Sequence, residues 1–189
     1  MTETTVIVKT IGRPTLKAAV KSARREGFKV IVVSDGKTVS AQGASKIIKL
    51  GRQWGFYGGM STNVGAAVAE TEFITLLDDD DEFIEGAGDI IRSKLKEKPQ
   101  VDVWIGGVRF FKEVTIYNTE TGQPRFCSRD ISIRPDIGLV PGNVSMPTYR
   151  AKVLSIVPFR NSVPWDQASL SDFYHVQACS QAGFAIDWF

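Results

Sequence analysis

The sequence predicts an α/β fold: one domain with an open, mostly parallel central sheet flanked by helices. Three observations carry this. Apolar, β-branched runs recur at Thr5–Thr10, Phe28–Ser34 and Phe73–Asp78. Stretches with helical spacing separate them, and turn residues close each run. Strands alternating with helices call for parallel pairing with helices on both faces.

Each element follows in order. TVIVKT is a first strand that ends near Gly12. In RPTLKAAVKSARREG, Pro14 suits a first helical turn, Leu16, Ala19, Val20 and Ala23 repeat at helical spacing, and Gly27 closes the helix. FKVIVVSDG gives a second strand with a turn at Asp35-Gly36, completing a βαβ unit. KIIKL reads as a short strand, and GRQWGFYGGM, with four glycines among aromatics, as a mobile loop. STNVGAAVAETE predicts a helix capped by Ser61 or Thr62, with Asn63 on its first turn. After the strand FITLLD, DEFIEGAGDIIRSKLKEK predicts an amphipathic helix ending before Pro99. VDVWIGGVRFF reads as a strand and EVTIYNTETGQPRF as a hairpin turning at Thr121-Gly122. A short helix is expected near Tyr149–Leu154, a last helix over SLSDFYHVQACSQAG, and a strand at FAIDWF.

The 189 residues suit one domain with a real core. A net charge of +2, with no Lys- or Arg-rich block, gives no argument for a nucleic-acid partner. No apolar run approaches the roughly 18 residues of a membrane span, and MTETTVIVKT lacks signal-peptide character, so a cytoplasmic location is expected, in the host if the source is viral. Cys127 and Cys179 stand alone and read as reduced thiols.

Open parallel sheets bind ligands beyond the carboxyl ends of their strands. The loops to inspect are therefore Thr10–Arg13, Ser34–Gly36, Asp78–Asp81 and Gly106-Gly107. Four consecutive aspartates exceed what helix capping uses, and adjacent like charges at a strand end repel. In an extended segment Asp78 and Asp80 share a face while Asp79 points elsewhere. That pattern suits Mg²⁺ or Mn²⁺, which takes one or two carboxylates and completes its shell with water and phosphate oxygens.

The motif order resembles the GT-A fold glycosyltransferases, most closely the large inverting family 2 type. VIVKTIGRPTLKAAVKSA looks like that family's opening strand and helix, and VIVVSDG like its second strand ending in aspartate. STNVGAAVAETEFITLLDDDDEF looks like its Asn-x-Gly helix, turn, and apolar strand ending in Asp-x-Asp. SLSDFYHVQACSQAGFAI resembles the later acidic pair, helix and strand that carry the catalytic base, although Ser171-Asp172 stands where the family has Glu-Asp.

The resemblance implies a metal-dependent, inverting transfer from a UDP- or GDP-linked sugar to a hydroxyl on a glycan, protein or other acceptor. Thr10, Gly12, Arg13, Asp35, Asn63, Asp78 and Asp79 would face the nucleotide, and Asp80 with Asp78 would hold Mn²⁺ or Mg²⁺. Asp172 would be the general base, with Asp166 of VPWDQ its competitor. The donor half would span about 1–110 and the acceptor half about 111–189, with the chain stopping where family members continue. A sugar nucleotidyltransferase and a non-catalytic binding module are the alternatives. His175, near Asp172 on the last helix, reads as a packed histidine or a proton shuttle. Trp54, Phe56 and Tyr57 read as a lid or as loop anchors, and Lys46 and Arg52 as phosphate partners or surface charges.

Overall fold

The computed structural model describes residues 3–55, 58–106, 147–160 and 171–189, together with the backbone of the short strands 108–109, 114–117, 124–127 and 130–131. The predicted alternation is present. Strand β1 (Thr4–Thr10) is followed by α1 (Leu16–Arg25), β2 (Lys29–Ser34) and β3 (Lys46–Lys49). Then come α2 (Gly59–Val68), β4 (Phe73–Asp78), α3 (Ala87–Glu97) and β5 (Val103–Ile105). Strands β6 (Val108–Arg109), β7 (Val114–Tyr117), β8 (Pro124–Cys127) and β9 (Asp130–Ile131) form two small antiparallel pairs, β6 with β9 and β7 with β8. Strand β10 (Thr148–Arg150), helices α4 (Ala151–Ile156) and α5 (Ser171–Gln181), and β11 (Ile186–Trp188) complete the described elements.

The main sheet has seven strands in the order β11-β5-β10-β4-β1-β2-β3. All its pairings are parallel except those of β10, which runs antiparallel between β4 and β5. Every residue of β1 is buried, because the sheet carries helices on both faces. Alternate residues feed opposite cores. Val6 and Val8 join Leu16, Val20, Ile91 and Leu95 beneath α1 and α3. Ile7 joins Ile74, Tyr149, Val153 and Val176 beneath α4 and α5, where α2 also packs through Val64 and Val68. At Gly65, on α2, an added Cβ would lie 2.7 Å from Ile7 Cγ2, and Ile7 is fully buried. Gly65→Ala should therefore destabilise the chain by about 1–3 kcal/mol through overpacking, read as a lower urea midpoint with unchanged slope.

The structure corrects four boundaries. Helix α2 starts at Gly59, with Gly58 at φ +81° as its cap, so Ser61 and Thr62 lie inside the helix and Asn63 is its fifth residue. Helix α3 starts at Ala87, several residues after the aspartates. The intervening link is tied to α1: Phe83 N–H donates to Ser22 Oγ at 3.0 Å, Arg25 Nη2 donates to Phe83 O at 2.6 Å, and the Phe83 ring packs on Phe28. The helix N-terminus is instead served by Glu26, whose Oε2 accepts the Gly88 N–H at 3.0 Å. The strand expected over 101–111 divides into β5 and β6, which belong to different sheets. Tyr149 sits in β10, paired with Ile74 and Val103, and the helix begins two residues later at Ala151.

Candidate active site

Strand order alone locates a crevice. The chain moves from β1 outward to β2 and β3, then returns to place β4 on the other side of β1. Connections leave in opposite directions at this point, and their loops separate beyond the carboxyl ends of β1 and β4. A cleft of about 360 Å³ lies there. Its walls include Lys9, Thr10 and Arg13 from the end of β1, Asp35 after β2, Asp78, Asp79 and Asp80 after β4, and Ser171 and Asp172 at the start of α5.

The aspartates divide by environment. Strand β4 ends at Asp78, and the chain turns at once, with Asp81 N–H donating to Asp78 O at 3.2 Å. This turn, rather than an extended segment, exposes Asp78 and Asp80 by half while burying Asp79 to 1%. The Asp79 carboxylate accepts bonds from the Thr10 hydroxyl, from Ile11 N–H at 3.2 Å and Arg13 N–H at 3.3 Å, and from Arg13 Nη1 at 2.6 Å. Burial works against its charge, but these donors outweigh burial and hold its pKa below the ordinary carboxylate value. Asp79 thus fastens the β1 loop to β4 while lining the cleft.

Asp81 is the opposite case. Burial, then the charges of Asp78 and Asp80, push its carboxyl up to about 6. Such a group binds its proton more tightly in the folded state, so the fold is favoured by acid at this residue. The penalty is absent below the ordinary carboxylate range and complete above about pH 6. Asp81→Asn should raise metal-free stability by about 1–3 kcal/mol near pH 7.5 and by little near pH 4, measured by urea unfolding at both.

The other expected residues separate. Asp35 lines the cleft, but its oxygens accept the N–H groups of Trp54 at 2.7 Å and Gly55 at 2.8 Å, anchoring the glycine-rich loop. Gly12 adopts φ +85° at the loop bend, and its N–H donates to Thr10 Oγ1 at 2.8 Å. Asn63 does not face the cleft. Its amide donates to Phe159 O and accepts from Phe159 N–H, each at 2.8 Å, which clamps α2 to the chain after α4. It stands at the fifth position of the helix rather than at its start. His175 is a core residue: Nε2 meets Val157 O at 2.7 Å, Nδ1 meets Tyr149 Oη at 3.0 Å, the ring stacks on Phe159, and burial lowers its pKa to about 4. Trp54 packs against the second core and carries Arg52 over its ring at 3.9 Å, while Lys46 lies exposed on edge strand β3. Asp166, Phe56, Tyr57 and Gly107 lie outside the described residues.

Asp172 opens the first turn of α5 inside the cleft. Burial raises its pKa, Lys9 pulls it back, and Asp78 adds to the rise. Lys9 is the residue that sequence reading passed over. Its Nζ pairs with Asp78 Oδ1 at 2.9 Å, with the side chain 10% exposed. Burial opposes its charge; Asp172 and Asp78 outweigh burial and lift its pKa above the usual value. A lone lysine inside the apolar run TVIVKT was the available signal, since an unpaired charge is not buried.

The cleft therefore has five carboxylates among its walls, at Asp35, Asp78, Asp79, Asp80 and Asp172, against the two cations Lys9 and Arg13. Arg13 is already held by Asp79 and sits 3.3 Å from Asp80. Among the described residues no group of three or more His, Cys, Asp or Glu side chains is arranged to hold a metal ion. Asp78 and Asp80 leave two half-exposed carboxylates at the rim, and a hard cation that keeps most of its shell for water and phosphate takes one or two.

A family model described as Glycosyl transferase family 2 matches residues 5–154. The chain belongs to that family. The match ends before α5, so Asp172 lies beyond it. This family 2 chain has a GT-A fold, shared by solved structures of low identity. TarS 1–349 from S. aureus, in complex with UDP, is 16% identical over 99% of this chain and 57% of its own, at TM-score 0.68. The mannosyltransferase PcManGT from Pyrobaculum calidifontis, in complex with GDP-Man and Mn²⁺, is 13% identical over 99% and 54%, at TM-score 0.64. The 2-C-methyl-D-erythritol 4-phosphate cytidylyltransferase from Thermus thermophilus is 11% identical over 100% and 88%, at TM-score 0.57. The family 2 chain thus spans little more than half of the TarS 1–349 chain and of the mannosyltransferase, and 35% of the longer TarS chain. Among curated proteins, none matches it significantly. No helix among its described residues is long and apolar enough to cross a membrane.

Proposed function

We propose that the chain transfers a sugar from a nucleoside diphosphate sugar, UDP- or GDP-linked, to an acceptor hydroxyl, with inversion and with a divalent cation. The observation that carries this reading is the charge of the cleft. A diphosphate is itself strongly anionic, and it would enter a pocket with five carboxylates whose two cations are already paired. Such a ligand binds there only with added positive charge. Asp80 and Asp78, half-exposed at the rim, are the residues that would hold it. A bound Mg²⁺ or Mn²⁺ supplies Lewis-acid stabilisation of the departing diphosphate.

The chain's own groups do the rest. The loop Thr10–Arg13, fixed by Asp79, shapes the donor side, and Asp35 borders the base pocket with its loop. Asp172 accepts the proton of the acceptor hydroxyl as the oxygen attacks the anomeric carbon. The new carbon–oxygen bond forms on the face opposite the breaking bond to the diphosphate, which inverts the centre. The donor half of the chain would be about 1–110 and the acceptor half about 111–189.

A nucleotidyltransferase reading draws support from the shared fold with the cytidylyltransferase. It would need a basic loop after β1 free to cradle a triphosphate, whereas Arg13 is engaged by Asp79 and Asp80. Calorimetry with UDP, GDP and CTP, with and without Mn²⁺, tests the proposal. UDP or GDP should bind at least tenfold more tightly with Mn²⁺ than without. Equal affinity without metal would favour a binding module, and preference for CTP would favour nucleotidyl transfer.

A further inference from the structure

His175 is the only histidine of the chain, and both of its ring nitrogens are engaged inside the fold. Val157 O, 2.7 Å from Nε2, can only accept, so Nε2 carries the hydrogen. Burial keeps the ring neutral, which leaves Nδ1 bare. The Tyr149 hydroxyl therefore donates to Nδ1 at 3.0 Å, and Cys179 Sγ stands 3.8 Å from the same atom. A proton shuttle would need a ring nitrogen open to the cleft, and this ring has both committed to the core.

These bonds join elements that are far apart in sequence. Tyr149 lies in β10, and its register partner Ile74 lies in β4, four residues before Asp78. Val157 follows α4. Two residues on, Phe159 stacks flat on the imidazole, with 3.7 Å between centroids and 4° between planes. Asn63 of α2 grips the Phe159 backbone at both N–H and O, each at 2.8 Å. Contacts thus run from α2 through the segment after α4 to α5, and from α5 to the strand beside the aspartates. Both helices open on the cleft: Gly58 and Ser61 line it at the start of α2, Ser171 and Asp172 at the start of α5. His175 comes three residues after Asp172, on the same helix face. Whatever fixes the backbone at His175 therefore also fixes it at Asp172, one turn away.

We infer that His175 is a positioning residue: with Tyr149, Phe159 and Asn63 it forms a buried brace that fixes the starts of α5 and α2 relative to β4, and so sets the place of Asp172 in the cleft. The reaction role rests on the reading of Asp172 as general base; the brace itself does not. Phe173, Val176 and Cys179 also bury α5, but apolar burial is non-directional and tolerates a slide or a rotation. Hydrogen bonds from one ring to two elements do not, and a fully satisfied buried network specifies a single arrangement. A histidine that only filled the core would need neither one tautomer nor partners on two elements. The brace also ties α5, beyond the reach of the family match, to elements within it.

The test uses the full chain with Tyr149→Phe, which removes one hydroxyl and keeps the ring, together with His175→Gln and Asn63→Ala. Should the glutamine variant fail to fold, Tyr149→Phe carries the experiment. A single histidine makes the imidazole nitrogen resonances unambiguous. Near neutral pH they should show one tautomer, protonated at Nε2, and Tyr149→Phe should move the Nδ1 resonance toward that of an unbonded nitrogen. A ring protonated at Nδ1, or a mixture of tautomers, overturns the brace. Amide hydrogen exchange reads its mechanical effect: α5 should exchange about tenfold or more faster in Tyr149→Phe, with β1 and β2 unchanged. Asn63→Ala should do the same, although its bonds are to Phe159. Unchanged exchange of α5 in Tyr149→Phe overturns the brace, and unchanged exchange in Asn63→Ala alone overturns its α2 arm. Hydrolytic turnover of UDP-GlcNAc and GDP-mannose with Mn²⁺ reads the reaction role. Tyr149→Phe should lower kcat by about tenfold, since an ångström of misplacement can cost on the order of 10²-fold. Donor KM should stay within about threefold, and Tyr149→Phe in the Asp172→Asn background should cost nothing further. Wild-type kcat in Tyr149→Phe beside an inactive Asp172→Asn overturns the positioning role. Wild-type kcat in Asp172→Asn overturns the base assignment instead. If neither donor is turned over, the exchange of α5 decides the proposal.

Discussion

Asparagine at position 172 is expected to lower kcat by about 10²–10⁴-fold, the usual contribution of a positioned general base, while nucleotide affinity with Mn²⁺ stays within a few-fold. The two readouts separate because Asp172 projects from α5, whereas the Asp79-fixed loop and the rim carboxylates that would meet the nucleotide come from β1 and β4. Asparagine preserves the shape of the side chain and removes its capacity to take a proton. The environment favours that capacity. Burial raises the Asp172 pKa toward a more basic carboxylate, and the Lys9 charge limits the rise. A base must be both ionised and basic enough to accept a proton in the transition state. Asp78 carries charge in the same cleft but is already paired with Lys9 at 2.9 Å. Steady-state kinetics with the donor panel, together with calorimetry, check the prediction. Full kcat in Asp172→Asn would move the role to another carboxylate, and Asp166 is the one the sequence offers.

Strands β1, β2 and β4 were legible because each is buried on both faces and therefore reads as a continuous apolar run. Long-range contacts were not. Helix α3 looked as if it began at the aspartates, because Phe83 and Ile84 continue its apolar spacing. The bonds that tie that link to Ser22 and Arg25 reach a helix about 60 residues earlier. The site shows the same division. That the aspartates end a strand was visible in FITLLDDDD, but which of them is buried depends on the turn at Asp78–Asp81 and on Arg13 across the crevice. The clamp that Asn63 forms was not visible, because its partner, Phe159, is 96 residues away. Lys9 carried a signal that no motif flagged: one charge inside an apolar run.

Alanine at position 80 should abolish the benefit of Mn²⁺ for nucleotide binding while leaving the fold intact. Loss of even an outer-shell partner typically costs metal affinity roughly 10–100-fold, and loss of a ligand should cost at least that. The argument turns on the contrast with its neighbour. Asp80 is half-exposed, and its described contact is Arg13 at 3.3 Å, an ion pair open to solvent and worth little to stability. Asp79 is buried and accepts bonds from Thr10, Ile11 and Arg13. Removing it strands buried donors, at about 1–3 kcal/mol. Two adjacent aspartates should therefore fail in opposite ways: Asp80→Ala with wild-type unfolding and no Mn²⁺ effect on UDP or GDP affinity, Asp79→Ala with a lowered urea midpoint. Asp80 also borders the excess negative charge that pushes Asp81 up to about 6, so its removal should lower that value as well as empty the rim of a ligand. Mn²⁺ enhancement that survived in Asp80→Ala would place the cation on other residues.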